Sequence, residues 1–349
     1  MKVLNYMLIF IPISIAGEFL HVSPTLMFIL SALAIIPLAG IMGEATEELS
    51  FYSGPKVGGF LNATFGNATE LIISFFALKE GLFDVVKASI AGSVIGNILL
   101  VLGASMFFGG IKHKTQKFNR KVVEVSSSML LFAVIGLSIP AIFTHTLKSE
   151  LLNTKYEGLS VGVAIVMFII YILSLYFSFY THKDIYSVEH EAHSEVKAKW
   201  SLKKAILILI GATLIIAFES EFLVGAVEPM TESLGLSKFF VGIILIPIIG
   251  NAAEHSTAVL MALKNKMDVA IEIAVGSSLQ IILFVAPVLI FLSLIFTPMS
   301  IVFNEFELIA LIVSVLIANR VAGDGESNWL EGIQLLAVYL IIALSFFIL

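Results

Sequence analysis

Apolar runs of roughly twenty residues recur along the chain, separated by short stretches that hold nearly all of the charges and turn residues. A helix of about 20 apolar residues is long enough to cross a bilayer. Eleven segments fit that pattern: 3–20, 25–44, 57–79, 85–110, 122–143, 157–180, 203–227, 237–262, 268–296, 306–322 and 328–348. The connections are polar, among them "SGPKVGG", "KHKTQKFNRK" and "GDGESN". Only Thr181 to Lys199 is long, and it divides the chain near its middle. The pattern predicts an all-α transmembrane protein. The first run has the length of a signal peptide but no small-x-small cleavage site after it, so it reads as a retained helix.

Composition agrees with the pattern. The 349 residues are 58% hydrophobic and 13% charged, whereas soluble domains are about 45–50% apolar and about 25% charged. The absence of cysteine excludes disulfides and thiol catalysis. A net charge of −6 scattered among the spans gives no footing for a nucleic-acid partner. With the N-terminus inside, fifteen of the twenty Lys and Arg fall on the cytoplasmic side, which predicts a cytoplasmic N-terminus and an extracellular C-terminus. The compact chain without a targeting extension predicts a prokaryotic cell membrane.

An internal repeat underlies the spans. An offset of 184 residues lays "GNATE" (66–70) on "GNAAE" (250–254), with four identities in five. Without a gap, the same offset lays Asp84 on Asp268, Gly92-Ser93 on Gly276-Ser277, Ile98-Leu99 on Ile282-Leu283, and Glu44 on Glu228. Span 2 maps to span 7, an odd number of crossings, so the halves run through the membrane in opposite directions. That is the inverted-repeat plan of many secondary transporters. The expected organisation is 1 + 5 + 5: a first helix (1–22), a five-helix repeat (23–180), a charged cytoplasmic linker (181–200) and a second, inverted five-helix repeat (201–349).

Chemistry concentrates in the repeated motif. Glu70 and Glu254 lie about 15 Å from a helix end at about 1.5 Å per residue, near the bilayer centre, where an ionised side chain costs about 2.5–3.5 kcal/mol. A hydrogen-bonded, protonated glutamate explains one such residue; a symmetric pair points to function. Two converging carboxylates suit a hard dication, and calcium takes six to eight oxygen ligands. Asn67 and Asn251 precede the glutamates by three and share their helix faces. Ser93, Ser277, Ser278, Asn97 and Gln280 offer further oxygens. The Gly-Asn and Gly-Ser sequences are expected to loosen their helices and free backbone carbonyls. With nitrogen and sulfur ligands nearly absent, zinc and copper are disfavoured, while calcium and manganese stay undivided. A carboxylate removed from water favours its protonated form, and a bound dication reverses that balance, so one site holds either protons or the ion. His255, whose repeat mate is Leu71, either tunes that protonation or bonds a neighbouring carbonyl. The acidic ends of span 2 (Glu44, Glu47, Glu48) and span 7 (Glu228, Glu232) either draw cations to the pathway or are solvated helix ends. The histidine- and acid-bearing central segment reads as a flexible linker, and "GDGESN" as a polar turn.

"GNATELI" and "GNAAEHS", each followed by a helix bearing "GS", resemble the paired signature regions of the cation/proton exchanger (CAX) family of the calcium/cation antiporter superfamily. The resemblance covers nearly the whole chain. It implies exchange of Ca2+ for H+ with Glu70 and Glu254 as the essential ion- and proton-binding glutamates and Asn67, Asn251, Ser93, Ser277, Asn97 and Gln280 as accessory positions. Sodium/calcium exchangers of that superfamily typically place Pro before the motif glutamate; here Thr69 and Ala253 stand there, which disfavours sodium. Antiport of Mn2+ or a monovalent ion is the nearest alternative. An intramembrane metalloenzyme leaves the inverted repeat unexplained, and the gapless symmetry of a two-carboxylate site fits occlusion better than the continuous pore of a passive channel. The expected partners are Ca2+, H+ and the lipid bilayer, with no cofactor; a homo-oligomer is compatible with the sequence. Spans 1 and 6, the least polar, are expected to move against a fixed core.

Overall fold

The computed structural model describes residues 6–144, 152–182 and 198–348. Most of the predicted linker, residues 183–197, lies outside them. The described chain is helical apart from one small ribbon: α1 (Phe10–Phe19), α2 (Pro24–Phe65), α3 (Ala68–Lys79), α4 (Phe83–His113), α5 (Arg120–Thr144), α6 (Leu152–Tyr176), α7 (Leu202–Leu234), α8 (Lys238–Leu263), α9 (Met267–Ser293), α10 (Glu305–Val321) and α11 (Trp329–Ile348). Nine spans among the described residues are long and apolar enough to cross a membrane.

Local chemistry sets the helix starts. Ser23 caps α2 ahead of Pro24, Ser201 caps α7, and Ser237 caps α8, each hydroxyl accepting an otherwise unpaired N–H of the first turn. Asn304 and Glu307 close a capping box on α10. At α11, Asn328 Oδ1 accepts from Leu330 N and Glu331 N while Glu331 accepts from Asn328 N. The turn predicted at "GDGESN" therefore works as a helix start.

Two elements differ from the expected pattern. The second span does not stop near residue 44; its helix continues through Glu47 and Glu48 until Gly54, where φ +78° and ψ 167° break it. That conformation is open only to glycine. The all-α expectation also misses a two-stranded antiparallel ribbon, β1 (Thr115–Lys117) with β2 (Glu326–Asn328). Three-residue strands leave too short a period to register in a sequence.

The ribbon joins the segments that follow α4 and α10. Lys112 and Gln116 also donate to the carbonyls of Leu263 and Ala262 at the end of α8, and Asn119 N donates to Asp268 at the start of α9. These connections share one face. The start of α2 meets the end of α7 through Thr25 and Ser233, and Ser237 donates to the Phe346 carbonyl near the end of α11. The main apolar core draws on α2 to α11, with Met27, Phe28 and Ile35 of α2 and Leu223, Val227 and Met230 of α7 among its members. A second cluster lies between α2 and α7, with Leu38, Met42, Ala45, Leu49, Leu209, Ala212 and Ile216. Outer faces are apolar and exposed, as at Ile142, Leu173, Leu207, Phe218 and Ile341; helices apolar on both faces belong in lipid.

Candidate functional site

The chain from α2 into α3 unwinds at Gly66 and Asn67, where Asn67 has φ −106° and ψ 20°. α3 therefore begins in the middle of the predicted third span, and Glu70 lies in its first turn, where the helix dipole favours an anion. The matching Gly250 and Asn251 remain inside unbroken α8, so the expected loosening at Gly-Asn occurs in one motif only. Gly92-Ser93 lies within regular helix. π-helical segments lie at Gly96–Val101 in α4, at Val241–Leu245 in α8 ahead of its motif, and at Glu272–Gly276 and Ile281–Val285 in α9, a distortion common beside functional sites.

α3 and α8 meet at their glycines. A Cβ on Gly250 would lie 3.0 Å from Glu70 Oε1, and a Cβ on Gly66 would lie 3.4 Å from Glu254 Oε1. Each carboxylate thus occupies the space that the other motif's glycine leaves. Glu70 is buried at 4% exposure. Both Glu70 oxygens, Glu254 Oε2 and Asn251 Oδ1 are buried without a hydrogen bond. Bare buried oxygens are rare and call for a ligand, a proton or water.

The neutral residues form matched contacts. Ser277 Oγ donates to Asn67 Oδ1 at 2.9 Å, and Asn251 Nδ2 donates to Ser93 Oγ at 3.4 Å; the 184-residue offset exchanges these two pairs. Asn67 Nδ2 donates to Gln280 Oε1 at 2.5 Å. His255 Nε2 lies 3.0 Å from Asn97 Oδ1, so the neighbouring carbonyl it meets belongs to a side chain of the site. Glu70, Glu254, Asn67, Asn251, Ser93, Ser277, Asn97, Gln280 and His255 are therefore brought together. Ser278 is not: its hydroxyl is buried and donates to Ala274 of its own helix.

The surroundings are unequal on the two sides. A Cβ on Gly92 would fall 2.1 Å from the Ile243 carbonyl oxygen, so α4 and α8 touch backbone to backbone there. The mate of Gly92, Gly276, meets only Glu272 of its own helix. Ala88 and Ile246 are buried in the closed contact, whereas their mates Glu272 and Asn62 are exposed. The site is sealed toward the start of α8 and flanked by exposed polar residues toward the start of α9.

The acidic helix ends divide. Glu48 is buried and accepts from Lys199 N at 2.8 Å and Trp200 N at 2.9 Å, tying the chain entering α7 to α2. Glu228 is paired with Lys238. Sequence reasoning passes over Glu219, a fully buried carboxylate of α7; its repeat mate is Ile35, so symmetry gives no signal there.

The model of the sodium/calcium exchanger protein family matches residues 23–180 and 204–348. The Ca(2+)/H(+) antiporter of Aphanothece halophytica is 50% identical over 355 residues, covering 98% of this chain and 95% of that protein. The Ca(2+)/H(+) antiporter ChaA of Bacillus subtilis (strain 168) is 47% identical, covering 97% of each. The solved structure of native YfkE superposes with a TM-score of 0.87 at 43% identity, covering 99% of this chain and 100% of that one.

Proposed function

The chain belongs to the sodium/calcium exchanger protein family, and from that premise we propose that it exchanges Ca2+ for H+ across a cell membrane by alternating access. The observation that carries the reading is the pair of carboxylates, Glu70 buried and Glu254 half-buried, each set against the other motif's glycine and holding buried oxygens without partners. Two full-length relatives named Ca(2+)/H(+) antiporter support it. Thr69 and Ala253 support proton rather than sodium coupling.

In this reading Glu70 and Glu254 bind Ca2+ or protons. The amide and hydroxyl oxygens of Asn67, Asn251, Ser93, Ser277, Asn97 and Gln280 complete an oxygen shell of the size calcium takes. His255 tunes protonation through Asn97. Either the dication or protons neutralise the pair, and a bare pair is too costly to carry through the closed state. Coupling follows because a ligand shifts a two-state equilibrium only by binding the two states differently. The chemistry is binding and translocation, with no bond made or broken and no cofactor required.

The architecture that serves this function is 1 + 5 + 5, with α1 outside two inverted repeats at 23–180 and 201–349. It counts α1 and the broken segment ending in α3 as crossings beside the nine long spans. The π segments at Gly96–Val101 and Ile281–Val285 support the repeat, because the 184-residue offset superposes them. Lys and Arg on the ribbon face support a cytoplasmic N-terminus, which makes the open side of the site cytoplasmic. Spans 1 and 6 are the moving elements by polarity alone. A second apolar cluster joins α2 to α7 along part of their length, which favours that pair instead, moving as one.

Calorimetric titration of the purified protein with Ca2+ in weakly buffered solution tests the exchange at the site. Proton release on binding, abolished by Glu254→Gln, is expected. Calcium binding with no proton release would overturn the reading.

A further inference from the structure

α1 touches the rest of the protein through small residues. Ser14 and Gly17 are its buried positions, while Ile13, Ile15 and Phe19 are exposed on the faces that lipid would cover. Opposite Ser14, midway along α7, stands Glu219, with 0% exposure. Among the described residues, the Ser14–Glu219 contact is the one side-chain hydrogen bond from α1 to another helix.

Ser14 Oγ lies 2.8 Å from the Ile11 carbonyl oxygen and 2.5 Å from Glu219 Oε1. A serine hydroxyl has one proton to give, and a carbonyl only accepts. When Ser14 donates to Ile11, its lone pairs face Glu219, and the 2.5 Å contact becomes a hydrogen bond if the glutamate carries the proton. The opposite assignment leaves an ionised carboxylate at bilayer depth with only serine hydroxyls and no cation beside it; that is the costly state.

The pocket is polar but uncharged. Ser31 of α2 adjoins the same carboxyl, and the hydroxyls of Ser31 and Ser220 are buried without a bond. The titratable groups on the neighbouring helices are engaged elsewhere. Glu18 of α1 and His21 just beyond it are exposed. Glu48 binds the backbone before α7, and Glu44 and Glu47 lie at that same distant end of α2. Lys79 of α3 pairs with Glu221 at 3.3 Å, and Glu70 faces Gly250.

We propose that Glu219 is a third intramembrane proton-binding site, apart from the Glu70–Glu254 pair, whose acid O–H to Ser14 tethers α1 to α7. The proton is the ligand, and while it is bound Ser14 accepts from Glu219 and donates to Ile11. Loss of the proton turns the Ser14 hydroxyl round to donate to the carboxylate, at the expense of its bond to Ile11 and with a charge left at bilayer depth. The inference goes beyond the exchange reaction and does not depend on which cation crosses.

Infrared spectroscopy of the full chain in lipid tests it, in a Glu70→Gln, Glu254→Gln background that removes acid signals from the ion site. At neutral pH the spectrum should contain the carbonyl stretch of a protonated carboxylic acid that Glu219→Gln removes. Ser14→Ala keeps the acid but deletes its acceptor, so it should shift that band without abolishing it, and this mild change guards against misfolding of the first variant. A spectrum unchanged by both substitutions, or a Glu219→Gln difference in the carboxylate band instead of the acid band, would overturn the proposal.

Discussion

Gly250→Ala tests the crossing of α3 and α8 with a single methyl group. In an ordinary helix this change helps by about 0.5–1 kcal/mol, since alanine loses less conformational freedom than glycine. Gly250 lies inside unbroken α8, so the helix itself gains. The new Cβ, however, would lie 3.0 Å from Glu70 Oε1 and 3.3 Å from Glu70 Cδ and Cγ. The carboxylate must retreat by a few tenths of an ångström, and overpacking of this kind costs about 1–3 kcal/mol. Glu70 has little room to yield, being buried at 4% exposure. The penalty therefore falls on the ion site while the helix stays sound. At 1.4 kcal/mol per factor of ten, Ca2+ affinity should weaken by about five- to a hundredfold with the apo melting temperature preserved. Calcium titration and thermal unfolding of the same preparation read both quantities. Unchanged affinity, or a melting temperature that falls with it, would refute the argument.

Three further outcomes follow from the same geometry. Ser277→Ala removes the donor to Asn67 Oδ1; at about 0.5–1.5 kcal/mol per bond, Ca2+ affinity should drop about two- to tenfold in the same titration. Gly92→Ala puts a methyl against the Ile243 carbonyl oxygen and should prop open the sealed side, slowing transport at least about tenfold by the 1.4 kcal/mol conversion. Because the chain has no native cysteine, Ala88→Cys in that background reports the opening by reacting with a thiol reagent that leaves it untouched otherwise. Glu48→Ala strips the acceptor from Lys199 N and Trp200 N; leaving such donors bare costs about 1–3 kcal/mol, so the melting temperature should fall, with Glu48→Gln intermediate.

Much of the site was legible because the bilayer makes polarity expensive. Glu70, Glu254 and their Asn and Ser neighbours stand out where water cannot solvate them, and duplication marks the same positions twice. The contacts Asn67–Ser277 and Asn251–Ser93 follow from that register. What duplication does not mark stayed hidden. Glu219 has an isoleucine at its mate position, and Glu48 reads as one of several acids at a helix end until its two backbone donors are seen. The length of α2 was missed because Glu44, Glu47 and Glu48 interrupt the apolar run while still fitting a helix, and only Gly54, in a glycine-only conformation, breaks it. The different surroundings of Gly92 and Gly276 belong to the conformation. A repeated sequence specifies both the sealed and the open arrangement, so no residue pattern distinguishes them.

The most direct measurement of the central claim is radiolabelled Ca2+ uptake into proteoliposomes under an imposed pH gradient, with matched sodium-gradient and proton-collapsing controls. Uptake should require the pH gradient, ignore sodium, and vanish in both Glu70→Gln and Glu254→Gln. Uptake driven by sodium, or surviving in either variant, would contradict the account.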